Sequence, residues 1–357
     1  MKVGSGHNSN LINYYLFLFI STFVRNIVAV FSCILLYKKG YDVKEILLFM
    51  TVIYGMGVIV NYFSLLFNYK ISLIISNLFY GGSYFYLMIM PYGIPNLFIL
   101  AIMLSIGSYS YHAIRHYLAL KVQNYNNKKI SYLLFVIYMA CFVANILGIV
   151  ILKKCSSYVI GIIMVLLSFI SIFPVFKLTN ISREKINLKS VSIRWEKIVY
   201  SVLEQFKVIL MELQPLYLYV YVKGSISYIG WFNIVILIAS VMVMMVVGKR
   251  LKLTLFKYIN MLLALVIFLK LNINNIYLLM FIAFLEGIGM KLYEMFSLNN
   301  LYRIDANSVD SYLILQEIIF FGSKTLFMII FLFLGFSLKN ILYVCIIGMI
   351  LSVFYLD

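Results

Sequence analysis

The sequence predicts an all-α polytopic membrane protein of about twelve transmembrane helices in two six-helix bundles. Of its 357 residues, 64% are hydrophobic and 11% are charged, whereas a soluble domain is about 45–50% apolar and about 25% charged. Too few polar side chains remain to cover a water-soluble surface. The apolar residues also fall into twelve runs, each close to the about 20 residues that a helix needs to cross a bilayer. A soluble enzyme, a disordered chain and a secreted disulfide scaffold are therefore excluded.

Twelve predicted segments follow one another with short polar loops between them. The third and ninth are the shortest or the most interrupted by polar residues. The first is too long for the core of a signal peptide and is followed by Lys38-Lys39-Gly40 instead of a cleavage site, so we expect it to be a span. Their approximate bounds are 11–37, 44–66, 71–90, 95–120, 130–152, 156–177, 197–221, 226–248, 253–270, 276–302, 311–336 and 339–356.

The charge is strongly basic, with 29 Lys and Arg against 12 Asp and Glu. Most basic residues flank the apolar runs, where the cytoplasmic positive bias and anionic headgroups account for them, so we expect the lipid bilayer and no nucleic acid as partner. With the N-terminus inside, sixteen basic residues fall in cytoplasmic loops and eight, among them Lys270, in outer loops. Both termini are therefore predicted to be cytoplasmic. The abundance of Ile, Lys, Asn and Tyr is typical of an AT-rich genome, which favours a bacterial inner membrane.

The longest polar stretch divides the twelve segments into six and six. It predicts an N-terminal bundle at 1–177, a cytoplasmic linker at 178–197 and a C-terminal bundle at 198–357. The first segment of each half ends in a similar turn, Lys39-Gly40 and Lys223-Gly224. This similarity indicates an internal repeat.

In this layout the chain resembles the major facilitator superfamily. The resemblance covers the whole chain as an arrangement of spans and is specific at the turns Tyr37-Lys38-Lys39-Gly40 and Lys223-Gly224. The acid that this family places between spans 2 and 3 is absent here, where Lys70 remains, and Gly248-Lys249-Arg250 stands without an acid after span 8. The chain is also short for the family. The resemblance implies a secondary transporter that works by alternating access, with segments 1, 4, 7 and 10 around a central cavity.

The candidate functional residues come from the ionisable residues inside the segments. A charge at the bilayer centre costs about 2.5–3.5 kcal/mol on insertion scales, so such residues normally face a bundle interior or a wet cavity. They fall on segments 1, 4, 7, 10 and 11, four of which line the cavity in the family that the chain resembles. The ionisable residues within the segments are Arg25, Arg115, Lys207, Lys291 and Lys324, with Glu204, Glu212, Glu286, Glu294 and Glu317. The candidate site residues are Arg25, Arg115, Glu212, Glu286, Lys291, Glu294 and Glu317, together with His112 and His116.

Segment 4 carries His112, Arg115 and His116 on one helical face. A histidine is a candidate proton site because small shifts move its titration across physiological pH. The arginine is suited to hold a carboxylate or phosphate through two parallel hydrogen bonds. The alternative is that this face lies at the cytoplasmic end and extends to lipid headgroups. No Cys or acid lies beside the histidines, so a zinc site is not expected.

Segment 10 carries Glu286, Lys291 and Glu294, of which the last two are three residues apart and can pair. One interpretation is a cavity-facing acid that exchanges a proton and is tuned by Lys291. The other is a structural ion pair that locks two helices. The sequence leaves both open.

Segments 1, 7 and 11 complete the set. Glu212 lies near mid-membrane beside Pro215, which frees a backbone carbonyl one turn earlier. A pair between Arg25 and Glu212 across the two halves is an expectation. Glu317 and Lys324 are predicted to share one face of segment 11.

These observations predict a proton-coupled transporter of a small solute, with Glu212, Glu286 or Glu294 as the proton carrier. The histidine and arginine of segment 4 favour an anionic or zwitterionic solute, whereas the acids of segments 7 and 10 equally suit a cation. The alternatives are a lipid or lipid-linked glycan flippase and, less favoured by the short loops, a membrane enzyme. The nucleotide-binding GxxxxGK[ST] motif and the soluble-enzyme motifs are absent. We expect no cofactor, no metal and a functional monomer.

Overall fold

The computed structural model describes residues 5–122, 127–178, 191, 195–222, 224–247, 255–302 and 309–355. All regular secondary structure within these ranges is helical, and a short 3₁₀ turn follows the last α-helix. The α-helices are α1 (Ser5–Ala29), α2 (Ser32–Lys38), α3 (Val43–Leu66), α4 (Tyr69–Ile89), α5 (Ile94–Val122), α6 (Asn127–Lys154), α7 (Ser157–Ile170), α8 (Phe173–Phe176), α9 (Trp195–Tyr221), α10 (Ile226–Val247), α11 (Leu255–Asn272), α12 (Ile276–Tyr302), α13 (Val309–Phe333) and α14 (Leu338–Ser352).

Each predicted segment corresponds to one helix or to a broken pair of helices. Segment 1 is α1 followed by α2, and segment 6 is α7 followed by α8, which begins at a proline-containing turn. Among the described residues, ten helical stretches are long and apolar enough to cross a membrane. Two of the twelve predicted segments are not among these ten. They correspond to α9, which carries Glu204, Lys207 and Glu212, and to the 18-residue α11. The predicted fold class is confirmed.

The helices pair in the same order in both halves of the chain. In the first half α1 packs on α6, α3 on α5, α4 on α5 and α4 on α7. In the second half α9 packs on α13, α10 on α12, α11 on α12 and α11 on α14. If the spans of each half are numbered from one to six, both halves have the same four contacts: 1 with 5, 2 with 4, 3 with 4 and 3 with 6. This agreement supports the internal repeat. Most of the linker at 178–197 lies outside the described residues, so the domain bounds remain a prediction. The same holds for two positions of the predicted loops, Lys223 and Gly248-Lys249-Arg250.

Two long seams join the halves, α3 against α13 and α6 against α10. They are equivalent under the same repeat, because α3 and α10 are the second spans of their halves and α6 and α13 the fifth. The helices α9 and α12 reach the opposite half through side-chain bonds to α3 and α6. The charged helices therefore meet in the interior between the two seams.

The helix ends form two sets. One set, here named the α2–α3 end, is the predicted outer side, and it holds the loops at 39–42, 90–93, 155–156, 273–275 and 334–337. The opposite set, named the linker end, is the predicted cytoplasmic side. At the α2–α3 end Gly40 adopts φ +98°, and Lys39 donates to the carbonyls of Met88 at 3.2 Å and Met90 at 2.9 Å. Lys39 thus donates to carbonyls that the end of α4 leaves unpaired. This contact explains why a basic residue lies on the predicted outer side, where few are expected.

Candidate functional site

Arg25 lies inside the N-terminal half and is 7% exposed. Its guanidinium donates to the carbonyl of Gly107 at 2.5 Å, to Ser76 Oγ at 2.7 Å and to Asn77 Oδ1 at 2.9 Å. These bonds tie α1 to α4 and α5. The expected pair of Arg25 with Glu212 is therefore wrong for this structure: the guanidinium faces three neutral acceptors in its own half.

Tyr111 is the centre of a cluster of basic residues, defined here as Arg25, His112 and Arg115 around this ring. The guanidinium carbons of Arg25 and Arg115 lie 4.2 and 5.9 Å from its centroid, and the His112 ring lies at 5.9 Å. His112, Arg115 and His116 are all half-buried, and Arg115 Nη2 is 3.4 Å from His116 Nε2. The predicted face of segment 4 therefore points inward and does not extend freely to headgroups.

Glu286 forms a buried ion pair within the C-terminal half. Lys270 Nζ is 2.6 Å from Glu286 Oε2, with the two side chains 1% and 0% exposed. Gln214 completes the group when its amide is oriented by its neighbours, donating to Glu286 Oε1 and accepting from Lys270 Nζ, both at 2.9 Å.

This geometry corrects two expectations. Lys270 does not lie free in an outer loop, and Glu286 is not a cavity-facing acid. The pair joins α11 to α12, and the amide joins both to α9. The structural interpretation of segment 10 thus holds for Glu286, although its partner comes from another helix and is not Lys291.

Lys291 and Glu294 form the predicted pair, with Nζ and Oε2 3.2 Å apart. Glu294 also accepts from the Tyr138 hydroxyl of α6 at 2.5 Å, and Lys291 Nζ lies 3.9 Å from the centroid of the same ring. The pair therefore bridges α12 to the opposite half. Towards the linker end, Lys207 lies 3.6 Å from Glu204, whose carboxylate also accepts from Tyr293 at 2.9 Å.

Glu212 is exposed although it lies in the middle of α9. Its carboxylate accepts a short hydrogen bond from the hydroxyl of Tyr54, a fully buried residue of α3 in the opposite half. A side chain that bonds across the halves does not face lipid, so its exposed surface borders the space between them. No basic side chain in the described part of the chain lies within 4.0 Å of this carboxylate.

Lys324 of α13 lies beside Glu212. Its Nζ is 4.9 Å from the ring centroid of Tyr54 and 4.2 Å from that of Phe321. The ammonium interacts electrostatically with the carboxylates of Glu212 and Glu317. Glu317 is 7% exposed and accepts from Asn61 Nδ2 at 3.3 Å across the α3–α13 seam.

The structure thus separates the predicted residues into three groups. Glu212, Glu317, His112, Arg115 and His116 lie at or near the space between the halves. Lys291 and Glu294 form a bridge across it, whereas Arg25 and Glu286 are buried inside one half each.

Sequence reasoning missed three important partners. Tyr54 and Tyr138 are two of 30 tyrosines, and nothing in the sequence distinguished them. Lys324 was predicted to share a helix face with Glu317 but was not among the candidate site residues. Its position within an apolar run is the sequence feature that could have identified it. Among the described residues, no group of three or more His, Cys, Asp or Glu is arranged to hold a metal ion.

Comparison with known proteins identifies the fold. No family model and no curated protein sequence matches the chain. A solved structure does, that of a bacterial homologue of the iron transporter ferroportin in an outward-facing state, with a TM-score of 0.66 over 98% of each chain. The two chains share one fold. It is the major facilitator fold that the arrangement of spans resembles. At 11% identity the likeness concerns the fold alone.

Proposed function

We propose that this protein is a secondary transporter that moves a small solute across the membrane by alternating access, coupled to protons at Glu212. The observation that carries the proposal is the position of Glu212. It is an accessible carboxylate in mid-membrane that bonds from one half of the molecule to the other. An ionisable group in such a place is costly and normally functional.

The other predicted proton carriers have fixed partners. Glu286 is fully buried in an ion pair with Lys270. Glu294 is paired with Lys291 and accepts a hydrogen bond from Tyr138. Glu212 has a neutral hydroxyl as its hydrogen-bond partner. The charged and titratable groups that face it are Tyr54 on α3, Tyr109 on α5, Cys33 on α2 and Lys324 on α13.

Proton binding at Glu212 changes a contact between the halves. A hydrogen bond to an ionised carboxylate is about twice as strong as one between neutral groups. Protonation therefore weakens the link from Tyr54 to Glu212 and favours separation of α3 from α9. Pro215, inside α9 and three residues on, removes a backbone hydrogen bond and lets this helix bend.

The test uses distances between spin labels and needs no knowledge of the solute. In a background without the four native cysteines, one label pair is placed at Ser157 and Leu334 at the α2–α3 end, another at Phe67 and Trp195 at the linker end. All four positions are exposed. Between pH 8 and pH 4 in lipid nanodiscs, we expect the two distances to change in opposite directions by several ångströms.

The deciding variant is Glu212→Gln, which keeps the shape and removes the titration. We expect its distances to be independent of pH. The matched control is Glu196→Gln, the same change at an exposed position in the first turn of α9, and it should behave as the wild type. Equal responses in Glu212→Gln and the wild type would exclude proton coupling at this residue. Distances that change together, or not at all, would count against alternating access.

A further inference from the structure

We propose that Glu317 is a second proton-binding site, buried in the seam between α3 and α13 and separate from Glu212. The inference goes beyond the proposed coupling at Glu212 and does not depend on it. Three observations carry it. The carboxylate is buried with a single hydrogen bond, the amide beside it has an oxygen without a donor, and the basic side chains that interact with it come from both halves.

Glu317 is poorly satisfied as an ionised group. It is 7% exposed and accepts one hydrogen bond, from Asn61 Nδ2 at 3.3 Å, which is longer than the about 2.7–3.2 Å of most such bonds. No basic nitrogen in the described part of the chain lies within 4.0 Å of its carboxylate. A buried charge is costly unless it is both paired and hydrogen-bonded. Binding of a proton removes this charge and its cost.

Asn61 has an oxygen that can accept a hydrogen bond from this proton. The residue is 1% exposed, and within the described ranges its Oδ1 has no hydrogen-bond partner. Buried oxygens of this kind normally have a donor. A protonated carboxyl group donates through its O–H and keeps an oxygen that accepts. With the proton bound, Glu317 and Asn61 can therefore form two hydrogen bonds across the seam, whereas the ionised carboxylate permits one.

The titratable groups around Glu317 come from both halves. Arg115 on α5 and Lys324 on α13 interact electrostatically with its carboxylate, as does Tyr109 on α5. Burial favours the protonated form of the carboxyl group, and the two cations favour its ionised form.

Two further helices pack on α13. From α3 comes the neutral amide of Asn61, and from α9 comes Glu212, which interacts with the ammonium of Lys324. An ionised Glu212 offsets part of the charge of Lys324. The proton on Glu317 therefore depends on the distance to Arg115 and on the charge of Glu212.

A movement between the halves changes proton binding at this site. Lys324 lies on the same helix as Glu317 and moves with it, whereas Arg115 belongs to the opposite half. Approach of Arg115 favours release of the proton, and its withdrawal favours binding. By linkage, the bound proton favours the arrangement in which Arg115 is distant. Protonation of Glu212 weakens a contact between the halves, whereas protonation of Glu317 adds one.

The test detects the proton itself by infrared spectroscopy of the full chain in lipid bilayers. A protonated carboxylic acid has a carbonyl stretching band that a carboxylate lacks. In a buried acid with few hydrogen bonds, this band lies at a higher frequency than in hydrated acids. For the wild type we expect one such high-frequency band per chain at pH 5 and its loss at pH 9. Glu317→Gln, which keeps the shape of the side chain, should lack the band at both pH values.

Two further variants assign the band to the seam. In Asn61→Leu the protonated acid loses its hydrogen-bond partner, so the band should persist and shift to a higher frequency. The matched control is Glu196→Gln at an exposed position, which should leave the frequency and the area of the band unchanged. A merely structural role of Glu317 would not produce the shift in Asn61→Leu.

Several results would overturn the inference. The wild type alone decides against it if the band is absent at pH 5, or if its area is equal at pH 5 and pH 9, so a misfolded variant does not protect the proposal. A band that remains in Glu317→Gln would belong to another acid. An unshifted band in Asn61→Leu would exclude the hydrogen bonds across the seam. None of these results depends on the spin-label distances, so this proposal and that for Glu212 fail separately.

Discussion

Breaking the buried pair of Lys270 and Glu286 should destabilise the protein more than any other single charge removal in the C-terminal half. The two groups are 2.6 Å apart and almost fully buried, and Gln214 occupies their remaining bonds. In Glu286→Gln the ammonium of Lys270 loses its counter-charge without gaining water. Removing one partner of a buried pair costs about 3–5 kcal/mol. At about 2 °C per kcal/mol for a chain of this size, the melting temperature should fall by about 6–10 °C.

The double variant separates loss of a counter-charge from loss of packing. Lys270→Met with Glu286→Gln removes both charges at similar volume, and replacement of a whole buried pair is often nearly neutral. We therefore expect at least half of the lost stability to return. The measurement is a double-mutant cycle of melting temperatures. Each melting temperature is obtained from the fraction of protein that stays monodisperse on size-exclusion chromatography after heating. If the double variant is as unstable as the two single losses added together, the pair has no coupling energy and the reasoning is wrong.

The same variants test whether Glu286 takes part in proton coupling. Because the pair is sealed from the space between the halves, the double variant should keep the pH response of the spin-label distances. Glu212→Gln should lose it. A double variant that folds but no longer responds to pH would return Glu286 to the list of proton carriers.

Two further predictions concern the packing around the site. Arg25→Met removes the donor to Ser76 Oγ and Asn77 Oδ1, whereas the Gly107 carbonyl still accepts from Ser76. It should lower thermal stability by several degrees, since each unsatisfied buried group costs about 1–3 kcal/mol. Arg25→Lys should restore little of this stability, because an ammonium lacks the planar fork, and full rescue by lysine would contradict this account. Gly287→Ala places a Cβ against the carbonyl oxygen of Ile236 on α10 and should cost about 1–3 kcal/mol, measured by the same heating assay. Gly322→Ala, where a Cβ meets nothing within 4 Å, is the matched control, and an equal loss there would refute the steric explanation.

Local relations were predictable wherever a helix alone determines them. Lys291 and Glu294 are three residues apart, so any helix through them brings their side chains together, and the pair is present. The common face of His112, Arg115 and His116 follows from the same spacing, whereas its inward direction is seen only in the structure. The turn at Gly40, with its positive φ, follows from the known behaviour of a glycine after a helix.

Partners on different helices were not predictable in this way. Arg25 was expected to meet an acid, because opposite charges in a membrane attract, but three neutral acceptors on α4 and α5 lie closer and satisfy it. Lys270 was placed in a loop because it ends an apolar run, yet its side chain turns inward to Glu286. In both cases the rotation and tilt of neighbouring helices decide the contact, and composition carries no information on either.

By itself, the sequence determined that the chain is a bundle of membrane-spanning helices and which of the predicted segments carry charge. The reason is that a bilayer offers no hydrogen bonds to the backbone, so every long apolar run has to form a helix. The tertiary structure alone decided which charges are sealed inside one half and which border the space between the halves. That division depends on distances between residues far apart in the chain, such as Tyr54 and Glu212, which are set by how the two halves pack.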